Sequence, residues 1–211
     1  MKFYGRRLFN LAIGITLLII ILLSGDTGAV PIEEWNKTFG RADINSASSV
    51  QQTLDGGYIL AGQIMYRAGD SDAWLIKTDA NGDLQWNRTF GRAHNGQVNR
   101  TFLGNNDWAN SVQQTSDGGY ILAGGTASYG AGLSDAWLIK TDANGSEQWN
   151  RTFGGTGRDE AYSVQQTYDG AYILTGRLDG AKDVNAWLIK TDTNGYEQWN
   201  RAVGGAGFDE T

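Results

Sequence analysis

Short apolar runs recur along this chain, and glycine-containing turns separate them. One run, YILA or YILT, begins at Tyr58, Tyr120 and Tyr172, and a second run, AWLI, follows each copy. Neither run alternates between apolar and polar positions. A strand of this kind is covered on both faces, whereas the strands of a two-layer sandwich alternate clearly. The pattern therefore predicts short strands in sheets that are buried on both sides.

Each repeat contains four strand signals in a fixed order. In the first repeat, a strand at Ala47–Thr53 precedes an Asp-Gly turn and a second strand at Tyr58–Ala61. A variable loop then leads to the strand DAWLIKTD, an Asn-Gly turn and the strand QWNRTF. Asp-Gly and Asn-Gly are strong hairpin signals because glycine accepts a positive φ. The best example of the second half is Asp135–Gly155, and the order predicts four-stranded antiparallel sheets.

The repeat length indicates the architecture. Equivalent tryptophans stand at Trp35, Trp86, Trp149 and Trp199, at spacings of 51, 63 and 50 residues. A period near fifty with four strands per unit is typical of β-propeller blades. We therefore predict an all-β propeller with three complete blades and a leading outer strand. The expected divisions are a lead-in at 30–46, blades at 47–91, 109–154 and 161–204, an inserted loop at 92–108, and the start of a truncated next blade at 205–211.

The repeat motif resembles a known group of sequences. Gly154–Gly176 reads GGTGRDEAYSVQQTYDGAYILTG, and Asn185–Trp199 reads NAWLIKTDTNGYEQW. These segments are similar to secreted β-propeller repeats of archaeal and bacterial surface proteins, and more distantly to quinoprotein-like propeller repeats. The resemblance covers about residues 35–211. It implies a scaffold and no particular activity, because one fold hosts many functions.

Three blades are fewer than the four to eight with which propellers close. The sequence leaves four explanations open: a truncated gene or fragment, self-assembly of two or more copies, an open arc, or an unusual closure. An open arc would leave strand edges and an apolar sheet face exposed.

The N-terminus predicts export. Three basic residues precede an apolar run from Leu11 to Leu23, and small and polar residues follow from Ser24 to Ala29. This is the layout of a secretory signal, and the run is shorter than the ~20 residues of a spanning helix. We expect residues 1–29 to be a signal peptide, or an N-terminal anchor if they are not cleaved. The mature protein would be extracellular or at the cell surface.

The amino-acid composition argues against several kinds of site and partner. The chain has no cysteine and one histidine, which argues against disulfides and against thiolate or multi-histidine metal sites. Without residues 1–29, 14 basic and 22 acidic side chains remain, a net charge of −8. An acidic surface repels nucleic acid. We expect no cofactor and no metal.

Variable segments identify a candidate binding face. Because strand direction alternates, both tight turns of a blade lie at one end of the sheet and the variable loops lie at the other. These loops are 62–71, 124–134 and 176–184, with an insertion at 92–107. Binding residues concentrate on loops of this kind, although neutral drift would vary them equally. The candidate ligand-binding residues are Tyr66, Arg67, His94, Trp108, Tyr129, Arg158 and Arg177.

Acidic residues recur with the repeat. Asp107, Asp159 and Asp209 share one position, where the first unit has Asn45. Recurrence in every unit favours a side chain that caps backbone amides, since a glycosidase needs a single carboxylate pair. The turn aspartates recur likewise and lack the downstream glutamate of a calcium loop. The glycosylation candidates, in Asn-x-Ser/Thr sequons, are Asn36, Asn87, Asn99, Asn144 and Asn150.

These features predict an exported, non-catalytic module for cell-surface structure or recognition, which contacts proteins, glycans or further copies of itself. One alternative is a secreted propeller-framed enzyme that acts on polysaccharide. For that activity, His94 in the insertion is the one unrepeated candidate, and a lone histidine supports no triad. A second alternative is a self-assembling partial propeller.

Overall fold

The computed structural model describes residues 34–40, 44–66, 69–92, 106–180 and 183–204. The chain divides into two compact units, Met1–Asn36 and Lys37–Thr211. Of the first unit, only residues 34–36 are described, and they lie outside the strands. The predicted signal at 1–29 and the segment 205–211 lie outside the described residues. Within the described ranges, no helix is long and apolar enough to cross a membrane.

The second unit is all-β, as predicted. Its twelve strands form three antiparallel sheets of four strands, and neighbours along the chain are neighbours in each sheet. The first sheet comprises β1 (Asn45–Gln52), β2 (Tyr58–Met65), β3 (Ser71–Thr78) and β4 (Leu84–Phe90). The second comprises β5 (Asp107–Gln114), β6 (Tyr120–Thr126), β7 (Asp135–Thr141) and β8 (Glu147–Phe153). The third comprises β9 (Glu160–Gln166), β10 (Tyr172–Asp179), β11 (Val184–Thr191) and β12 (Glu197–Val203).

Strand ends differ from the prediction in a regular way. Each sheet begins one or two residues earlier than expected, at Asn45, Asp107 and Glu160. The second strands are also longer, since β2 continues to Met65 rather than ending at Ala61. The extensions combine small, charged and amide residues with isolated apolar ones such as Ile64 and Met65, and they do not continue the apolar runs that predict the strands. They form strand because β3 and its equivalents are long enough to pair with them, as Ile64 pairs with Asp72.

Consecutive sheets pack face to face. Alternate residues of the second sheet point to opposite neighbours: Leu122 and Ile139 pack against the first sheet, whereas Ile121 and Leu138 pack against the third. Every residue of β6 and β7 is buried. The continuous apolar runs therefore do mark strands covered on both faces, as predicted. We call the side of a sheet toward the preceding sheet its leading face, and the other side its trailing face.

The tryptophan of each of the first two fourth strands packs against a tyrosine of the next sheet. Trp86 lies edge-on to Tyr120 of the next sheet, with ring centroids 5.8 Å apart. Trp149 repeats the contact with Tyr172 at 5.7 Å. A Cβ atom on Gly145, in the Asn-Gly turn of the second sheet, would lie 2.6 Å from the Trp86 ring. The recurring tryptophan and turn glycine are thus two halves of one contact between repeats.

First strands join the sheets through side chains. Ser49 Oγ and Gln51 Oε1 of β1 accept hydrogen bonds from backbone N–H groups of β5, at 3.2 and 2.6 Å. Ser111 and Gln113 of β5 accept from β9 in the same way, at 3.3 and 2.6 Å. A register shift between Ala109 and Ser111 accompanies this arrangement. The recurring sequence SVQQ therefore builds a ladder between sheets.

A buried lysine ties the two turns of each sheet together. Lys140 of β7 has a side chain that is 4% exposed, and its Nζ lies 2.8 Å from Asp117 Oδ2 in the Asp-Gly turn. Lys140 Nζ also donates to the carbonyl of Thr141 at 2.8 Å. Equivalent pairs join Lys77 to Asp55 and Lys190 to Asp169. The lysine in AWLIK is a structural cation and not part of an open site.

Candidate binding face

The tight turns and variable loops lie at opposite ends of the sheets, as the alternation of strands predicts. We call the end with the Asp-Gly and Asn-Gly turns the turn end, and the other the loop end. The loop end carries the described parts of the connections, which are 66, 69–70, 127–134, 180 and 183 within sheets and 91–92, 106 and 154–159 between sheets. Two isolated bridges connect them, Ser71 with Asn106 and Ser134 with Arg158. The candidate binding face is this loop end.

Only some of the predicted ligand-binding residues come together there. Tyr66, Tyr129 and Arg158 lie in loops at the loop end, whereas Trp108 and Arg177 lie within strands. Arg67 and His94 lie outside the described residues, as do 93–105 of the inserted loop.

Tyr129 is the most exposed described aromatic residue among these candidates, at 42%. Its hydroxyl donates to the carbonyl of Gly91 at 3.2 Å, across the junction between the first and second sheets. Its ring stands 5.6 Å from the buried ring of Trp137. Burial, followed by the charge of Asp107, raises the pKa of the Tyr129 phenol, so the hydroxyl stays protonated near neutral pH. The ring is fixed at one edge and open to solvent.

Arg158 adds an exposed cation to the next junction. Its backbone N–H donates to Asp179 Oδ2 at 3.3 Å, which fixes the loop while leaving the guanidinium outside. Tyr66 is half-buried, and its hydroxyl donates to Asp72 Oδ2 at 2.9 Å. Tyr66 also packs against the apolar leading face of the first sheet. It serves mainly to seal that face.

Two candidates have structural positions that the loop prediction did not anticipate. Trp108 was assigned to the inserted loop, but it lies in β5, and its Nε1 donates to Glu160 of the next sheet at 2.6 Å. Arg177 was assigned to a loop at 176–184, but it lies in β10, 3.7 Å from Asp179. Both differences arise because the strands extend farther toward the loop end than their apolar cores.

The recurring aspartates cap backbone amides, as predicted. Asp159 is fully buried and accepts from the backbone N–H of Gly155 at 2.6 Å and of Asp179 at 2.8 Å. Asp107 is also fully buried and accepts from the backbone N–H and hydroxyl of Ser128. Asp159 thereby ties the loop before β9 to the end of β10, and Asp107 ties the loop after β6 to the start of β5. Asp209, at the next repeat position, lies outside the described residues.

Each of these aspartates faces a second carboxylate. Burial raises the pKa of Asp107, with a smaller contribution from the charge of Asp72. Burial likewise raises the pKa of Asp135, and the charge of Asp159 adds to it. All four carboxylates are at least 94% buried. Burial to this degree keeps all four carboxylates away from solvent.

The turn aspartates are also engaged locally. Asp142 Oδ1 accepts from the backbone N–H groups of Asn144 and Ser146 at 2.9 and 2.8 Å, which is an Asx-type turn. Equivalent bonds form at Asp79 and Asp192. Within the described ranges, no three His, Cys, Asp or Glu side chains are grouped closely enough to hold a metal ion.

The sequons differ in accessibility. Asn87 and Asn144 are exposed, on β4 and in a turn respectively. Asn150 is half-buried, donates to Glu147 at 2.6 Å and accepts from Trp137 Nε1 at 3.3 Å. A glycan on Asn150 would disturb both bonds. Asn36 is exposed, and Asn99 lies outside the described residues.

Sequence reasoning missed the side chains that join one sheet to the next. Ser49, Gln51 and their equivalents accept hydrogen bonds from the neighbouring sheet, although they read as ordinary polar strand positions. The signal was their recurrence at one position in every repeat. Sequence reasoning also missed Glu160, whose Oε1 accepts hydrogen bonds from Trp108 Nε1 and Asn110 Nδ2.

The chain matches no known family model, and no curated protein is detectably similar to it in sequence.

Proposed function

We propose that this chain is an exported, non-catalytic β-propeller module of the cell surface that binds glycans through its loop end. The propeller is supported by the repetition of one contact. Each first strand adjoins the next first strand through serine and glutamine side chains, and each fourth-strand tryptophan covers the next sheet. A contact that repeats in this way is what sheets arranged around an axis, with the first strands innermost, would produce.

The non-catalytic part of the proposal is supported by the state of the carboxylates. The recurrent loop aspartates are buried and bonded to backbone amides, and the recurrent turn aspartates fix tight turns. These bonds occupy the groups that would otherwise be candidates for acid–base catalysis. Export and surface location rest on the N-terminal pattern of basic, apolar and small residues.

The observation that carries ligand binding is the setting of Tyr129. Tyr129 is 42% exposed, and the small residues Ser128 and Gly130 flank it along the chain. We expect a flat ligand to reach the solvent side of its ring. A tyrosine held at its hydroxyl offers an apolar face at little entropic cost. The apolar face of a pyranose ring fits such a surface, and the exposed Arg158, at the next junction, can contact hydroxyl or carboxylate groups of an extended glycan.

A glycan array tests this proposal. The exported product of the full chain should bind one class of glycan, and Tyr129→Ala should weaken that binding by about tenfold or more, because the ring supplies most of the stacking area. Tyr168→Ala is the matched control. Tyr168 is an exposed tyrosine at the turn end, and its removal should leave binding unchanged.

Deletion of 93–105 separates the contribution of the insertion from that of Tyr129, since it spares Tyr129, Gly91, whose carbonyl Tyr129 contacts, and Asp107, which binds the neighbouring Ser128. Lower glycan binding is expected, because this segment adjoins the junction that Tyr129 spans. No glycan binding, or equal losses for Tyr129→Ala and Tyr168→Ala, would refute the proposed ligand. Binding to immobilised peptides instead would assign the same face to protein recognition.

A further inference from the structure

Among the described residues, nothing covers the trailing face of the third sheet, although its residues repeat those that are buried in the second sheet. Ile121 and Leu138 are fully buried by the third sheet, whereas the equivalent residues Ile173 and Leu188 are only half-buried. At the end of β12, Val203 is 69% exposed, while its equivalent Phe153 is 8% exposed. The third sheet therefore has an apolar face of the kind that this chain covers with another sheet.

The leading face of the first sheet is more exposed than the leading face of the second sheet. Leu122 of the second sheet is fully buried, but its equivalent Leu60 is half-buried. Val50 of β1 is 63% exposed, and its equivalent Val112 is 6% exposed. A cavity of about 450 Å³ lies on this face, between residues 37–40 and the strands β3 and β4. The first sheet thus lacks most of a preceding sheet.

The side-chain hydrogen bonds that join successive first strands also have matching partners on the third and first sheets. Within the chain, Ser111 Oγ and Gln113 Oε1 accept from the backbone N–H groups of the next first strand. The equivalent acceptors of the third sheet, Ser163 and Gln165, are exposed. The equivalent donors of the first sheet are the N–H groups of Val50 and Gln52. The third sheet can therefore bind a first sheet by the bonds that already join β5 to β9.

A pair of charged residues indicates that the first sheet is the one that fits the third. Arg151 of β8 lies with its guanidinium 4.2 Å from the ring centre of Tyr196, in the Asn-Gly turn of the next sheet. The residue equivalent to Arg151 in the third sheet is Arg201, and the residue equivalent to Tyr196 in the first sheet is Asp83. Of the three repeats, only the first has an acid at this turn position. The third sheet thus offers a cation where the first sheet offers an anion.

From these complementarities we propose that the trailing face of the third sheet binds the leading face of the first sheet in a second copy of this chain. Because each copy has both faces, two copies can join at both ends. Their six described sheets fall within the range of closed propellers. The contact is independent of the glycan proposed above and would stand without it.

Residues 37–40 now occupy part of the docking site and must leave it. Phe39 packs against Ile64 and Trp74, and Lys37 Nζ lies 2.8 Å from Asp83. This hold is weak, because both partners of the ion pair are exposed, at 39% and 64%. In the incoming third sheet, β12 is already paired with β11 along its length, from Val203 opposite Ala186 to Glu197 opposite Thr191, so it arrives as part of an intact sheet. The segment 37–40 is therefore displaced, and Arg201 takes the place of Lys37 beside Asp83.

Sedimentation equilibrium of the exported product of the full chain tests the assembly. The expected result is a concentration-dependent species of twice the chain mass. Leu188→Asp should weaken dimerisation by more than about tenfold, because it places a charge in the apolar contact. Tyr168→Asp, at an exposed turn-end tyrosine of the same sheet, should not. Phe39→Ala should strengthen dimerisation by loosening the segment that blocks the site.

Cysteine cross-linking tests the orientation without disturbing the core, since the chain has no native cysteine. Chains with Ser163→Cys and chains with Val50→Cys are mixed and treated with a short bis-maleimide. A cross-linked heterodimer is expected from the mixture and not from either chain alone. A monomer at all concentrations would overturn the proposal, and so would a dimer without this cross-link. Both readouts are independent of glycan binding, so either proposal can fail alone.

Discussion

Replacement of a single turn glycine measures how tightly neighbouring repeats are packed. Gly145 has φ +76°, and a Cβ atom there would lie 2.6 Å from Trp86 Cζ3. The ring has little freedom to move away, because it lies edge-on to Tyr120 and under the guanidinium of Arg88. Gly145→Ala therefore combines backbone strain with a collision between two sheets.

The expected loss has two parts. An alanine in the left-handed region costs about 1–2 kcal/mol. Overpacking of a close contact typically costs about 1–3 kcal/mol more. Gly118→Ala isolates the first part, because Gly118 has φ +82° and nothing lies within 4 Å of its Cβ position. Gly145→Ala should thus lower the free energy of unfolding by about 2–5 kcal/mol, and Gly118→Ala by about 1–2 kcal/mol.

Guanidinium unfolding, followed by tryptophan fluorescence, gives both values under the same conditions. The slope with denaturant must stay constant between variants for the comparison to hold. Gly195→Ala should repeat the larger loss, since its Cβ would lie 2.5 Å from the Trp149 ring. Equal losses for Gly145→Ala and Gly118→Ala would refute the packing of fourth-strand tryptophans on the next repeat.

Two further predictions concern the carboxylates. Burial is the largest single influence on the pKa of Asp117 and raises it, but hydrogen bonds from Lys140, Thr115 and Gly119 together outweigh burial and lower the pKa from 3.8 to about 2. A lowered pKa stabilises the folded state above about pH 4, and that contribution is lost as pH falls toward 2. Water screens this half-exposed carboxylate, so the contribution is about 1 kcal/mol or less. Asp117→Asn should remove it, which thermal unfolding at pH 6 and pH 2.5 would measure; an unchanged difference between the two pH values would contradict the assignment. Asp159→Ala should lower the free energy of unfolding in urea by about 1–3 kcal/mol, because the N–H groups of Gly155 and Asp179 lose their buried acceptor. A loss near zero would show that these loops do not depend on the cap.

Most of the sheet architecture follows from sequence because local signals agree. The Asp-Gly and Asn-Gly turns fix where each hairpin reverses, and the runs YILA and AWLI fix which strands are covered on both faces. The capping role of Asp107 and Asp159 also follows, since recurrence at one position of the repeat indicates a structural role within each repeat. These inferences need only neighbours along the chain or the repeat itself.

Other features depend on contacts between repeats, which periodicity alone does not reveal. Strand β2 extends past Ala61 because β3 pairs with it, although its last four residues, GQIM, do not continue the apolar run YILA. Trp108 reads as a loop aromatic, but it lies in β5 because the strand begins with the buried Asp107. Whether Gln51 faces solvent or the next sheet depends on how two sheets meet. The exposed setting of Tyr129 likewise arises from a junction between sheets.

Amide hydrogen exchange at Gln114 tests most directly the claim that neighbouring repeats join through their first strands. Its N–H lies 2.6 Å from Gln51 Oε1 of the preceding sheet, and the N–H of Gln166 has the same relation to Gln113. Gln51→Ala should accelerate exchange at Gln114 and leave Gln166 unchanged, while Gln113→Ala should do the reverse. If neither substitution alters exchange at its partner amide, the first strands do not adjoin as described, and the arrangement of sheets around an axis is wrong.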